Sequence, residues 1–344
     1  MSARFLMPRS LLPALIVAGL VALLHSIGNR SDSAPTSTAD EPTPPEITAL
    51  IDALNDKDAE VRKITAVSLG KFGRTAKAAV PALAIALTDN EADVRGAAAL
   101  ALGRIGKHAA SAAVALSAAL KDKDKDVRGA AALALARVGK EAKAALPALR
   151  DLAKDDNKQL AVYARCALAV LDDDAKPHVD ALVEALAAKE TEVRGTAAYA
   201  LGELGPVAKA AAPALASALK QDKAADVRLV VARALGEIGA AAKAAVPALA
   251  DALKDADTGV QAAAATSLAE IGPDAREAVQ ALAAALTSPE VEIRGRAAYA
   301  LGEIGPASKA VVVELAKLLK DDDADVRKAA ALALGKVQGP EERN

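Results

Sequence analysis

From Val61 to Val326 the chain repeats one short pattern: usually an acidic residue, then an apolar anchor, then usually arginine. The anchors are Val61, Val94, Val127, Leu160, Val193, Val227, Val260, Ile293 and Val326, spaced by 33 residues everywhere except for 34 between Val193 and Val227. A period of this size makes each unit one supersecondary element, too small to close a core by itself. Only stacking on neighbours buries its apolar face. A length of 344 residues would otherwise suggest two or three globular domains; the repeat overrides that expectation.

The columns of the repeat predict a helix pair. Eight residues after the anchor stands Leu69, Leu102, Leu135, Leu168, Leu201, Leu235, Leu268, Leu301 or Leu334. With the anchor, a small residue four on (Ala98, Ala131, Ala197) and an apolar one eleven on (Ile105, Val138, Ile238), it forms a stripe at helical spacing. The acid before the anchor, as at Asp93, Asp126 and Asp226, is expected to cap this helix A and meet its dipole. Glycine follows at 73, 106, 139, 205, 239, 272 and 305, where a left-handed C-cap ends it. Helix B then starts, often with proline in its first turn (Pro81, Pro147, Pro213, Pro247), and carries the leucine column Leu83 to Leu315. Eight full units result, with a lone helix before them (Glu46 to Asn55) and a lone first helix after them (Val326 to Val337).

Composition agrees. The chain is 53% apolar but only 1% aromatic, so its apolar residues are the Ala and Leu that helices favour, not the aromatics of sheets. The fold class is therefore all-α, an α-α superhelix. A net charge of −2 shows no basic excess for nucleic acid. The single cysteine, Cys166, excludes an intrachain disulfide and reads as a small core residue.

The array occupies 46–338, followed by a tail over 339–344. Ahead of it, Arg4 and Arg9 precede an apolar run from Leu11 to Leu24, extendable through Ile27. This reads as a signal peptide or, if uncleaved, an N-terminal membrane anchor over 1–28, which would tether the chain to a membrane through residues 11–27. Export to the periplasm, cell envelope or exterior is the expected destination. Residues 29–45, rich in Ser, Thr and Pro, form an extended linker.

The string Asp-Val-Arg-x-x-Ala-x-x-Ala-Leu-Gly-x-Ile-Gly, followed by Ala-Val-Pro-Ala-Leu, resembles the HEAT-like repeats of the phycobilisome-lyase type. The resemblance implies a solenoid with helices B on its concave face and helices A on its convex one. It also implies an Asp–Arg ladder between neighbouring repeats, here through Arg62, Arg95, Arg128, Arg194, Arg228, Arg294 and Arg327. Ala161 and Gln261 depart from the pattern and interrupt it. The fourth unit departs further, with Leu171-Asp172-Asp173-Asp174 in place of the glycine, no proline at the usual place in helix B, and Pro177-His178 earlier. A local change in curvature is expected over 156–182.

No catalytic set emerges. The relatives of this repeat type include bilin lyases, which makes a lyase-like enzyme or enzyme subunit the alternative function. They also include deoxyhypusine hydroxylase, whose irons are held by His-Glu pairs. Such pairs are missing here: the histidines are His25, His108 and His178, so neither metal nor cofactor is expected. What remains is a non-catalytic scaffold for a protein or peptide partner. Its candidate contacts are Glu203, Glu237, Glu270 and Glu303, ten residues after their anchors, and Tyr199 and Tyr299, which share a column with Arg233 and Thr266. The glutamate column is basic in earlier units (Lys71, Arg104, Arg137), so its charge reverses along the chain. Lysines in the A–B turns, such as Lys209 and Lys243, are the expected partners of these glutamates.

Overall fold

The computed structural model of the protein describes residues 44–338. The leader, nearly all of the 29–45 linker, and the tail lie outside the described residues. Among those described, every regular element is helical, and no helix is long and apolar enough to cross a membrane. They divide into two compact units, one ending at Asp155 and one beginning at Asp156.

The first unit opens on a helix over Pro45–Ala53, with Pro45 in its first turn. Three pairs follow: Ala59–Lys71 with Val80–Ala86, Ala92–Ile105 with Ala113–Ala119, and Lys125–Val138 with Leu146–Leu152. The second unit holds five pairs: Lys158–Leu171 with Lys176–Ala185, Thr191–Glu203 with Ala212–Gln221, Ala225–Ile238 with Val246–Ala252, Thr258–Ile271 with Val279–Ala285, and Val291–Ile304 with Val312–Lys317. It closes on the single helix Ala324–Val337.

Local chemistry sets the helix ends, in places differently from the sequence reading. The capping side chain lies two residues before the expected acid. Asp124 accepts from the backbone N–H groups of Asp126 and Val127, and Asp58, Asn157, Asp257 and Asp323 cap their helices likewise. Asp126 is the second helical residue, where its charge meets the dipole. All seven end glycines have positive φ, from 52° to 83°. At Gly106 ψ is −137°, and at Gly139 it is −155°. This is an extended mirror conformation open almost solely to glycine, not the left-handed helical one expected. It sends the chain into a 3-10 segment, such as Gly106–Ala112, before helix B begins.

The leucine columns are the core. Leu102 and Leu135 of helices A, and Leu83 and Leu116 of helices B, are inaccessible to solvent. Each contributes on the order of 2 kcal/mol of burial. Helices A also stack tightly on one another through a glycine nine residues after the anchor. A Cβ placed on Gly103 would stand 3.0 Å from the Cα of Ala134, and one on Gly302 2.8 Å from the Cα of Ala333. Stacking of helix B on helix B is far less extensive in both units. Glycine and alanine admit this close stacking of the A row.

The 34-residue spacing is absorbed in one place. Helix Ala212–Gln221 has ten residues where most helices B have seven, and Asp222 follows it directly. In the fourth repeat the 3-10 segment is missing. Helix A ends at Leu171, Asp172 is extended, and helix B begins at Lys176. Without glycine the chain has no route through the mirror conformation, and the connection shortens.

Candidate functional site

Two sets of polar residues rise from this framework. The first is the arginine column. The Nε and Nη2 groups of Arg95 donate to the two carboxylate oxygens of Asp122 at 2.7 and 2.8 Å. Its Nη1 donates to the carbonyls of Asp89 and Asn90 at 2.9 and 3.0 Å. Each arginine thus holds the turn before its own repeat and the turn after it. Asp122 also accepts from the backbone N–H of Asp124, so the turn is fixed from both sides. The same double grip joins Arg62 to Asp89, Arg194 to Asp222, Arg228 to Asp255 and Arg294 to Asp321. This planar, bidentate fit suits guanidinium and not ammonium. Hydrogen bonding from Arg62 holds Asp89 below the usual carboxylate range, and the bond from Arg294 brings Asp321 down to about 2.

Two members are weaker. Arg128 holds the carbonyls of Asp122 and Lys123, but its approach to Asp155 is 3.9 Å and its Nε lacks a partner. Arg327 reaches only the carbonyls of Asp321 and Asp322.

The second set is a ridge on the A row of the second unit. Here Glu203, Glu237, Glu270 and Glu303 follow one another down consecutive helices A, with Tyr199, Arg233, Thr266 and Tyr299 one turn earlier. Tyr199 is half-buried and Tyr299 is 50% exposed. The Glu237 carboxylate lies over Gly202 of the preceding helix, and that of Glu270 over Gly236; a Cβ at either glycine would collide with it. The glycines therefore serve twice, admitting the next helix and seating its glutamate.

Electrostatics bind the ridge together. Burial among the surrounding helices pushes Glu270 above the usual range, and Arg233 and Arg296 pull it back. Arg233 is itself shifted down by burial, against the attraction of Glu237 and Glu270. Arg296 donates to Glu292 and, at 2.6 Å, to the hydroxyl of Thr266. Lys336 pairs with Glu303 and sits 5.6 Å from the Tyr299 ring centre, a cation–π distance. Burial raises Tyr299, and its neighbour Glu303 adds to the shift. For Glu270 and Glu303 the balancing cations are thus on helices A, not the turn lysines expected from sequence. In the first unit the same column holds Lys71, Arg104 and Arg137, with Leu100 and Leu133 where tyrosine stands later.

A family model described as HEAT repeats matches residues 47–115, 110–169, 160–236, 212–302 and 279–344. The chain belongs to the HEAT-repeat family. Among solved structures it is similar to two engineered proteins. One is 27% identical, with 85% of this chain and 88% of that one covered and a TM-score of 0.46. The other is 24% identical, with 85% and 96% covered and a TM-score of 0.32. It is also similar to the complex of CpcE and CpcF of phycocyanin lyase from Nostoc sp. PCC7120, at 22% identity, 90% and 99% coverage and a TM-score of 0.45. No curated protein matches it.

Within this HEAT array the sequence reading missed the acceptor column of the ladder. It lies 27 residues after each arginine, or 28 across the insertion: Asp89, Asp122, Asp155, Asp222, Asp255 and Asp321. The signal was present. Where arginine is lost the aspartate is lost too, as Ala161 with Ala188 and Gln261 with Ser288. Gln261 keeps half the function, donating to the carbonyl of Asp255 at 2.6 Å. Cys166 is buried, its thiol 3.6 Å from the carbonyl of Ala200. Among the described residues no group of three or more His, Cys, Asp or Glu side chains could hold a metal. His178 pairs at 3.5 Å with Asp172.

Proposed function

We propose that this HEAT-repeat protein is a non-catalytic scaffold that binds a protein or peptide along the A-row ridge of residues 191–338. The observation that carries the reading is the ridge itself. Tyr199 and Tyr299 stand partly exposed among carboxylates and guanidiniums that recur at a fixed spacing along one row of helices. Aromatic residues of this kind anchor partners, and alternating charges fix their register. The apolar leader supports a location in the cell envelope, where the array would stand on its Pro-rich tether.

The test is capture from envelope extract by the immobilised full chain and by a Glu237→Lys, Glu270→Lys variant. The expected result is a defined partner retained by the first and lost from the second, with helicity equal in both. Equal retention by the two proteins, or turnover of a substrate with no partner retained, overturns the proposal.

A further inference from the structure

Both ends of the described array are half repeats. It opens on a helix of type B, Pro45–Ala53, whose Ile47, Leu50 and Leu54 stand in register with Val80, Leu83 and Leu87 of the first full repeat. It closes on a helix of type A, Ala324–Val337. We propose that these halves complete one another between two copies of the chain, helix A ending one copy and helix B beginning the next, so that chains join head to tail.

Three features of the ends support this. The first is the ladder. Arg327 has its carbonyl contacts, but its Nε and Nη2 meet no carboxylate among the described residues. Asp56 is the mirror case. Its carboxylate accepts from the N–H of Asp58 at 2.8 Å, as that of Asp89 does from Glu91, yet it is exposed, and among the described residues no arginine side chain bonds it, Arg62 holding only the Asp56 carbonyl. Among the described residues, one end offers a donor fork without a carboxylate and the other a carboxylate without a fork.

The second is the stacking face. In interior repeats the glycine nine after the anchor receives the next helix A, as Gly302 receives Ala333. Gly335 holds the same position with nothing within 4 Å. On the opposite end, Val61 is 40% exposed, whereas its equivalent Val94 is 1% exposed beneath the preceding helix. Ser68 stands where Ser267 packs on Gly236 and donates to the carbonyl of Ala232 at 2.8 Å. Docked in register, Ser68 of the second copy meets Gly335 and the carbonyl of Ala331.

The third is a second charge pair. Lys63 lies 3.6 Å from Asp93 across the first repeat junction. Lys328 occupies the column of Lys63, and Glu60 that of Asp93. The composite junction therefore brings Lys328 to Glu60 of the second copy. Stacked repeats gain stability from each nearest-neighbour interface, and a terminal repeat without a polar outer face lacks one. A second copy supplies it. The interface is heterologous, so the products are open chains or closed rings.

The test is sedimentation velocity of the full chain, in mild detergent for its apolar leader, across a range of concentrations. The expected result is mass rising with concentration beyond a dimer. Gly335→Glu, whose side chain enters open space in the single chain, should remain monomeric with helicity and melting temperature no lower than those of the unaltered chain in dilute solution. Arg327→Asp should weaken association about tenfold or more, and Asp56→Arg added to it should restore it, because each junction then carries a reversed pair. The proposal is overturned if the unaltered chain stays monomeric throughout. It is equally overturned if Gly335→Glu or Arg327→Asp leaves association unchanged, or if the double reversal fails to restore it.

Discussion

At the scale of the residue, the arginine fork is the most consequential side chain in the fold. Arg95 is 5% exposed and makes four hydrogen bonds to groups in two different turns. Removing it strands Asp122 and two carbonyls. Arg95→Ala is expected to cost about 2–4 kcal/mol, against about 1 kcal/mol for Arg327→Ala, which loses only two carbonyl bonds. Urea denaturation of dilute protein measures both. The ladder also makes the protein acid-sensitive. Asp89, Asp122, Asp222, Asp255 and Asp321 are all held below their ordinary range, Asp321 at about 2. The native state therefore binds fewer protons than the unfolded chain between about pH 4 and 2. The stability these groups contribute is complete above that window and is lost as pH falls through it. A melting temperature followed from pH 6 to pH 2 should fall steeply below about 4, and Asp321→Asn should flatten the fall. The arginines were legible in the sequence because they stand beside the anchors. Their acceptors were not, since a partner 27 residues away is visible only when the two columns are compared for joint loss.

At the scale of the element, the glycines separate into two kinds that sequence alone does not tell apart. Those ending helix A are needed for their backbone conformation, with φ near 66° and ψ near −137° at Gly106. Those inside helix A are needed for space. Gly302 and Gly335 share one column and one helical backbone, but the first faces the Cα of Ala333 at 2.8 Å and the second faces nothing. Gly302→Ala should lower stability by about 1–3 kcal/mol through overpacking. Gly335→Ala should raise it by about 0.5–1 kcal/mol, because alanine is the better helix former. Thermal melts of dilute protein distinguish the signs. Helix positions and the leucine core were readable because hydrophobic periodicity reports burial directly. The 3-10 segments and the close stacking of the A row were not, because they follow from how closely neighbouring helices approach. That approach is decided by the residue opposite each glycine and not by the glycine itself.

At the scale of the whole molecule, an array gains its stability junction by junction, so its weakest junctions govern how it opens. Two repeats have lost both ladder partners: the fourth, at Ala161 and Ala188, and the seventh, at Gln261 and Ser288. The seventh keeps the carbonyl bond of Gln261 and the cap of Asp257 on the N–H of Val260. The fourth has the Asn157 cap but only the methyl group of Ala161 in the arginine position, and lacks the glycine and 3-10 segment of the other repeats. Residues 156–190 are therefore expected to exchange their amide hydrogens by opening at lower free energy than the repeats on the intact ladder. Restoring the rung tests the cause. Ala161 and Ala188 keep the 27-residue separation of Arg95 and Asp122. Ala161→Arg or Ala188→Asp alone adds a charge with no partner. Together they should be more stable than the sum of the two single changes by about 1–3 kcal/mol. Hydrogen exchange should then rise in protection over 156–190 while residues 59–138 stay as they were. If the double variant shows no coupling, the spacing that forms the ladder elsewhere does not bring these two positions together, and the shortened turn of the fourth repeat has moved them out of register.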